Sequence, residues 1–89
     1  LEVRYRESFL RDLKKLKKRP AYDRIFQLAF DTLPAAASLR EIPSVKSMSG
    51  HSRRYRIRVG GHRVGIELDG GVVEMVRVLD RRDFYRYFP

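Results

Sequence analysis

Between Arg53 and Val59 the chain alternates without interruption, with Tyr55, Ile57 and Val59 on one parity and Arg54, Arg56 and Arg58 on the other, and Gly60-Gly61 follows at once. A strict period of two is the signature of a strand with one face buried, and a two-glycine loop is the tightest common way to reverse such a strand. A two-residue turn also fixes register. It sets Arg58 opposite Arg63, Ile57 opposite Val64, Arg56 opposite Gly65 and Arg54 opposite Glu67, so Ile57, Val64, Tyr55 and Ile66 share a core face. On the other face Arg54 and Glu67 compensate, whereas Arg58 and Arg63 repel by some tenths of a kcal/mol up to about 1 kcal/mol. Something outside the fold is expected to neutralise that pair.

Asp69-Gly70-Gly71 turns the chain into a last strand over Val72 to Asp80. A two-residue turn here would bury Arg77. A three-residue turn is therefore expected, with Val72, Val76 and Val78 on the core side and Met75, Arg77, Leu79 and Arg81 on the arginine side. Upstream, residues 2 to 6 alternate as a short strand. Ser8 is the expected N-cap of a helix over 9 to 18 whose apolar stripe is Phe9, Leu13 and Leu16. A second helix begins at Pro20, carries Tyr22, Ile25, Phe26, Ala29 and Leu33, and is ended or kinked by Pro34. Residues 35 to 52 read as a weakly patterned connection, and 81 to 89 as too short for more than a turn of helix. These elements predict an α+β fold of order β-α-α-β-β-β, with two N-terminal helices on one side of a mainly antiparallel sheet and an arginine surface on the other. At 89 residues the chain is expected to form a single domain, 1–89.

Twenty Lys and Arg against 11 Asp and Glu give a net charge of +9, while 43% of residues are hydrophobic. That is too apolar for a disordered basic tail, and it points to nucleic acid, an anionic membrane or an acidic protein as the partner class. Without cysteine there is no disulfide framework, zinc ribbon or thiol nucleophile, and a reducing cytoplasm is permitted. No apolar run approaches the roughly 20 residues needed to cross a bilayer. From Ile42 to Ile66 there is no acidic residue, yet Lys46, His51, Arg53, Arg54, Arg56, Arg58, His62 and Arg63 all fall there. Guanidinium groups on alternate positions of paired strands can grip phosphate oxygens in pairs, and Arg81 reaches the same face. His51 and His62, without neighbouring carboxylates, match no metal site, and His62 is expected to be partly buried beside the turn. No metal and no cofactor are expected.

The segments Asp12 to Leu16, Tyr55 to Val64 and Val78 to Arg86, in this order along nearly the whole chain, resemble the RelE/ParE superfamily of bacterial and archaeal toxins. The resemblance implies a microbial-ribonuclease-like fold and the toxin half of a type II toxin-antitoxin pair, located in the cytoplasm. RelE-like members cleave mRNA in the ribosomal A site, and ParE-like members inhibit DNA gyrase. A RelE-like, metal-independent endoribonuclease is the leading expectation. The alternatives are a ParE-like gyrase inhibitor and a non-catalytic nucleic-acid-binding module. The family's working groups carry over to Arg56, Arg58, Arg63, Arg81 and Tyr85, and the best-known relatives have lysine where Arg56 and Arg58 stand.

Attack by a ribose 2′-hydroxyl on the adjacent phosphate needs a base, a leaving-group acid and positive charge for the phosphorane. The arginines supply the charge but are poor bases, since a guanidinium keeps its proton. Two residues compete for the base. Positive surroundings favour a phenolate at Tyr85, and Asp80 occupies a slot held by His in many relatives, where it either acts as base or orients Arg81. Lys46, His51, Arg53, Arg54, Arg77, Arg82 and Arg86 are expected to bind RNA around this centre. The expected partners are mRNA and the ribosome, together with a cognate antitoxin, encoded alongside, whose toxin-binding segment is acidic. DNA is expected to be engaged only through that antitoxin, and a membrane not at all.

Overall fold

The glycine turn and the alternation around it organise the sheet. In the computed structural model, which describes residues 1–89, strand β3 (His51–Val59) pairs antiparallel with β4 (His62–Asp69). Arg58 stands opposite Arg63, Ile57 opposite Val64, Arg56 opposite Gly65 and Arg54 opposite Glu67, as the two-residue turn dictates. Strand β5 (Val72–Asp80) pairs with the other edge of β4, and β1 (Glu2–Tyr5) joins β5 in parallel. A further strand, β2 (Val45–Met48), pairs antiparallel with β3, so the five-stranded order is β1-β5-β4-β3-β2. The expected α+β architecture holds, but 35–52 is not merely a connection. β2 has only four residues and its register slips between Ser47 and Met48, which erases the alternation that would have revealed it.

The turn from β4 to β5 corrects another expectation. Asp69 faces Val72 across a two-residue turn, yet Arg77 is not buried in the core. Ile66 faces Met75 and Gly65 faces Arg77, so Val76 is an extra residue in β5 and the strand changes phase there. Before the bulge Val73 and Met75 point into the main core, and beyond it Val78 does, while Val76 joins the opposite face. The expected placement of Met75 on the arginine side and of Val76 in the main core is therefore reversed.

Helix α1 (Glu7–Lys15) buries Phe9 and Leu13, and it starts earlier and stops sooner than its apolar stripe suggests. Its N-cap is Arg6, because the hydroxyl of Ser8 is otherwise engaged, donating to the carbonyl of Val76 at 2.6 Å. The Arg6 amide donates to the Met75 carbonyl at 3.0 Å, and the Val78 amide donates to Asp12 Oδ2 at 3.1 Å. Beyond the end of β1, Arg6, Ser8 and Asp12 thus satisfy backbone groups along β5.

The second helical segment runs as α2 (Tyr22–Gln27), a π-helical turn over Leu28–Thr32 and α3 (Leu33–Ala35), with Pro34 admitted in the first turn of α3. The wider turn lets Ile25, Leu28, Ala29 and Leu33 all reach the core, whereas Phe26 stays exposed in a row of rings with Tyr22, Phe30 and Tyr5. The tail after β5 is also helical. Helix α4 (Arg81–Tyr87) lies on the face opposite the main core, where Phe84 and Phe88 bury themselves with Val76.

Candidate nucleic-acid site on the arginine face

Helix α4 starts where β5 ends because Asp80 caps it. Asp80 Oδ1 accepts from the backbone amide of Arg82 at 2.7 Å, an N-cap bond worth about 1 kcal/mol. No ion pair joins Asp80 to Arg81. An Asp before a short helix with a second acid, Asp83, in its first turn is a sequence-readable cap, and the seven-residue helix it starts is longer than the single turn expected of this segment. The Arg81 amide donates to the Gly61 carbonyl at 2.9 Å, which ties the start of α4 to the β3–β4 turn. Tyr85, exposed and edge-on to Phe84 at 5.0 Å, lies one helical turn after Arg81 on the same side of α4.

Phe88 occupies the space above Gly65. A β-carbon at position 65 would stand 2.7 Å from the Phe88 ring, so only glycine admits this packing. The aromatic plug divides the face, which is not the continuous arginine surface expected. Arg54 lies over the Phe88 ring at 5.5 Å and pairs with Glu67 at 3.5 Å. On the other side Arg77 covers the ring of Tyr87 at 5.5 Å and makes a two-pronged bond to Asp12, at 2.7 and 3.1 Å. That bond holds the Arg77 guanidinium above its ordinary pKa. Arg53 pairs with Asp69 at 3.4 Å. Three of the expected RNA-binding arginines therefore already have carboxylates.

The arginines expected at the centre do not. Arg56 is half-buried, Arg58 and Arg81 are exposed, and none of them has an ion pair. Lys46, placed by β2, stands directly across from Arg56 and extends the cationic row. Arg82 and Arg86 are exposed on α4, and His51 is exposed at the start of β3, away from the turn. Arg63 departs most from expectation. It is only 7% exposed, its Nη1 donates to the carbonyls of Gly60 at 3.1 Å and His62 at 3.0 Å, and its Nε is buried with no partner. The opposition of Arg58 and Arg63 is eased in this way, because one guanidinium folds back onto carbonyl dipoles of its own turn. His62 is half-buried and faces Asp80 across the strands, in a cleft between α1 and α4. No group of three His, Cys, Asp or Glu residues is arranged to hold a metal ion.

The chain that carries this site has known relatives. The family model described as the ParE toxin of type II toxin-antitoxin system, parDE, matches residues 3–85. Toxin RelE3 of Methanocaldococcus jannaschii is 34% identical over the whole of both chains. The chain belongs to the RelE/ParE superfamily of type II toxins. In the RelB-RelE antitoxin-toxin complex from Methanococcus jannaschii, a chain 31% identical superposes with a TM-score of 0.78, covering 97% of this toxin and 99% of that chain. The RelBE2 toxin-antitoxin complex from Mycobacterium tuberculosis gives 25% identity and a TM-score of 0.69, with 90% and 96% covered. YafQ from E. coli, at 14% identity and a TM-score of 0.70 over 91% and 93% of the two chains, shares the fold.

Proposed function

We propose that the toxin is a RelE-like endoribonuclease that cleaves mRNA on the ribosome without a metal ion, and that a cognate antitoxin holds it inactive. The observation that carries this reading is the buried Arg63, which has no carboxylate partner and lies opposite Arg58 beside the turn that Arg81 is tied to. Two carbonyl dipoles hold the Arg63 guanidinium in place without neutralising it, so its charge is left to meet an anion, as a site that stabilises an anionic transition state requires. Arg56, Arg58, Arg63 and Arg81 supply positive charge to the phosphorane, and Lys46, beside Arg56, adds an ammonium group that can exchange a proton.

Tyr85, on the Arg81 side of α4, is the better placed candidate base, since Asp80 is engaged as a helix cap. Lys46, Arg82, Arg86 and His51 hold flanking phosphates. The antitoxin assignment is supported by the RelB-RelE and RelBE2 complexes, whose toxin chains share this fold. Inducing the toxin in cells and mapping mRNA ends by primer extension tests the nuclease reading directly. A second reading, inhibition of DNA gyrase, is favoured by the match to the ParE toxin family model and by arginine in place of lysine at 56 and 58. Unbroken mRNA together with blocked supercoiling by purified gyrase would establish it in place of the first.

A further inference from the structure

A groove of about 240 Å³ opens on the helix side of the molecule, between the π-helical turn and strand β3. Its floor is aliphatic, built from Leu28, Ile42, Ile57 and Val59. Pro43 forms part of its wall, and next to it Ser44 is held at a φ of 66°, in the left-handed region that a serine rarely adopts. Arg24 and Arg58 line the groove and no acidic residue does. The Arg24 guanidinium reaches across the β3–β4 turn, within 3.4 Å of where a β-carbon of Gly60 would stand. It is exposed and has no carboxylate partner, and neither has Arg58.

An aliphatic floor bordered by unpaired cations fits a peptide that presents an aliphatic side chain next to a carboxylate. It fits RNA poorly, because bases are held on aromatic platforms and no aromatic residue lines this groove. We propose that the groove is a docking site for an acidic segment of the cognate antitoxin, with an aliphatic side chain seated on Leu28 and Ile57 and a carboxylate meeting Arg24. This rests on the toxin-antitoxin reading and adds a location to it. Docking here would grip β3, the strand that carries Arg56 and Arg58, along its helix-covered side and up to Arg58, where the groove meets the edge of the arginine site. The antitoxin would thereby gain affinity on one side of the strand while its remaining length reaches the other.

The test is a titration of the antitoxin, encoded by the reading frame adjoining the toxin gene, against the parent toxin, Arg24→Glu and Gln27→Trp. Both changes are at exposed helix positions that line the groove and lie outside the proposed cleavage site. Charge reversal and filling of the groove are each expected to weaken antitoxin binding about 10-fold or more, with mRNA cleavage by the free toxin unchanged. Tight binding by the parent and equally tight binding by both variants would overturn the docking site while leaving the antitoxin reading intact. Loss of RNA binding in Arg24→Glu with antitoxin binding retained would assign the groove to RNA. No binding even by the parent would overturn the toxin-antitoxin reading itself, and the docking site with it.

Discussion

On the face covered by α1 and the segment from α2 to α3, fifteen buried residues form one cluster, all of them apolar. On the opposite face the buried apolar cluster has three residues, Val76, Phe84 and Phe88, and Arg56, Arg58 and Arg81 lie around it without ion pairs. The same strands serve both faces, since every second residue of β3 and β4 belongs to each. The first face supplies most of the burial that stabilises the fold. That surplus lets the second face keep charges near one another without compensation, a condition a domain this small could not meet on both sides.

Substitutions that act on one face and spare the other would sharpen this division. The largest effect is expected at Phe9, fully buried in the main core, where alanine should cost about 4 kcal/mol in urea or thermal unfolding. A loss below about 1 kcal/mol would mean that the helix-covered face does not dominate stability. Next comes Arg81→Ala, expected to lower the single-turnover cleavage rate by roughly 100-fold while stability and RNA affinity hardly change, because its charge matters most as the phosphorane forms. Arg81→Lys should recover only part of the rate. Tyr85→Phe and Asp80→Asn separate the candidate bases cleanly, since asparagine preserves the helix cap while removing the carboxylate. A large drop in the asparagine variant alone would move the role to Asp80.

A smaller and more discriminating effect is expected from the opposed arginines. Arg58→Ala should leave stability within about 0.5 kcal/mol of the parent, as surface changes usually do. Arg63→Ala should cost about 1 to 2 kcal/mol, because it removes two hydrogen bonds to turn carbonyls and a buried side-chain stem. Equal stability in the two variants would show that the folded-back conformation of Arg63 contributes nothing. The smallest expected effect is alkaline and belongs to the helix-covered side. Burial, and then the negative charge of Asp31, raise the Tyr5 hydroxyl above its ordinary value of 10.0. Folding therefore favours the neutral phenol, whose contribution is complete below about pH 10 and is lost as pH rises through the folded-state value. Unfolding free energies measured across that range should decline above about pH 10, and Tyr5→Phe should make the decline shallower.

Hairpin register and core parity along β3 and β4 are legible in the sequence, because each rests on local periodicity or on glycine at a turn, and the family resemblance is legible in three segments that follow one another in order. What escaped was decided by groups distant along the chain. Parity marks Arg63 as a surface cation, but the carbonyls of Gly60 and His62 offer its guanidinium partners that parity cannot reveal. Arg77 has the parity of a nucleic-acid contact, but Asp12, sixty-five positions earlier, holds it. Lys46 falls in the basic stretch, yet its place beside Arg56 depends on a strand too short and too irregular to announce itself. Phe88 on Gly65 was invisible for a similar reason. A glycine within a strand reports that something comes close without saying what.

The single extra residue at Val76 has a consequence for how this chain can change. Beyond it the rest of β5, and with it Arg81 and α4, meets the sheet in one fixed phase. Exchanging Val76 for another apolar residue keeps that phase, and removing it keeps it too, because Arg77 then follows Met75 directly and still faces Gly65. The bulge is thus a spare letter in an otherwise fixed spelling. Deletion of Val78 or Leu79 has no such outlet, since closing the bulge then turns Arg77 toward the core and keeping it open turns α4 over, so a library of single-residue deletions should retain function better at 76 than at 78 or 79.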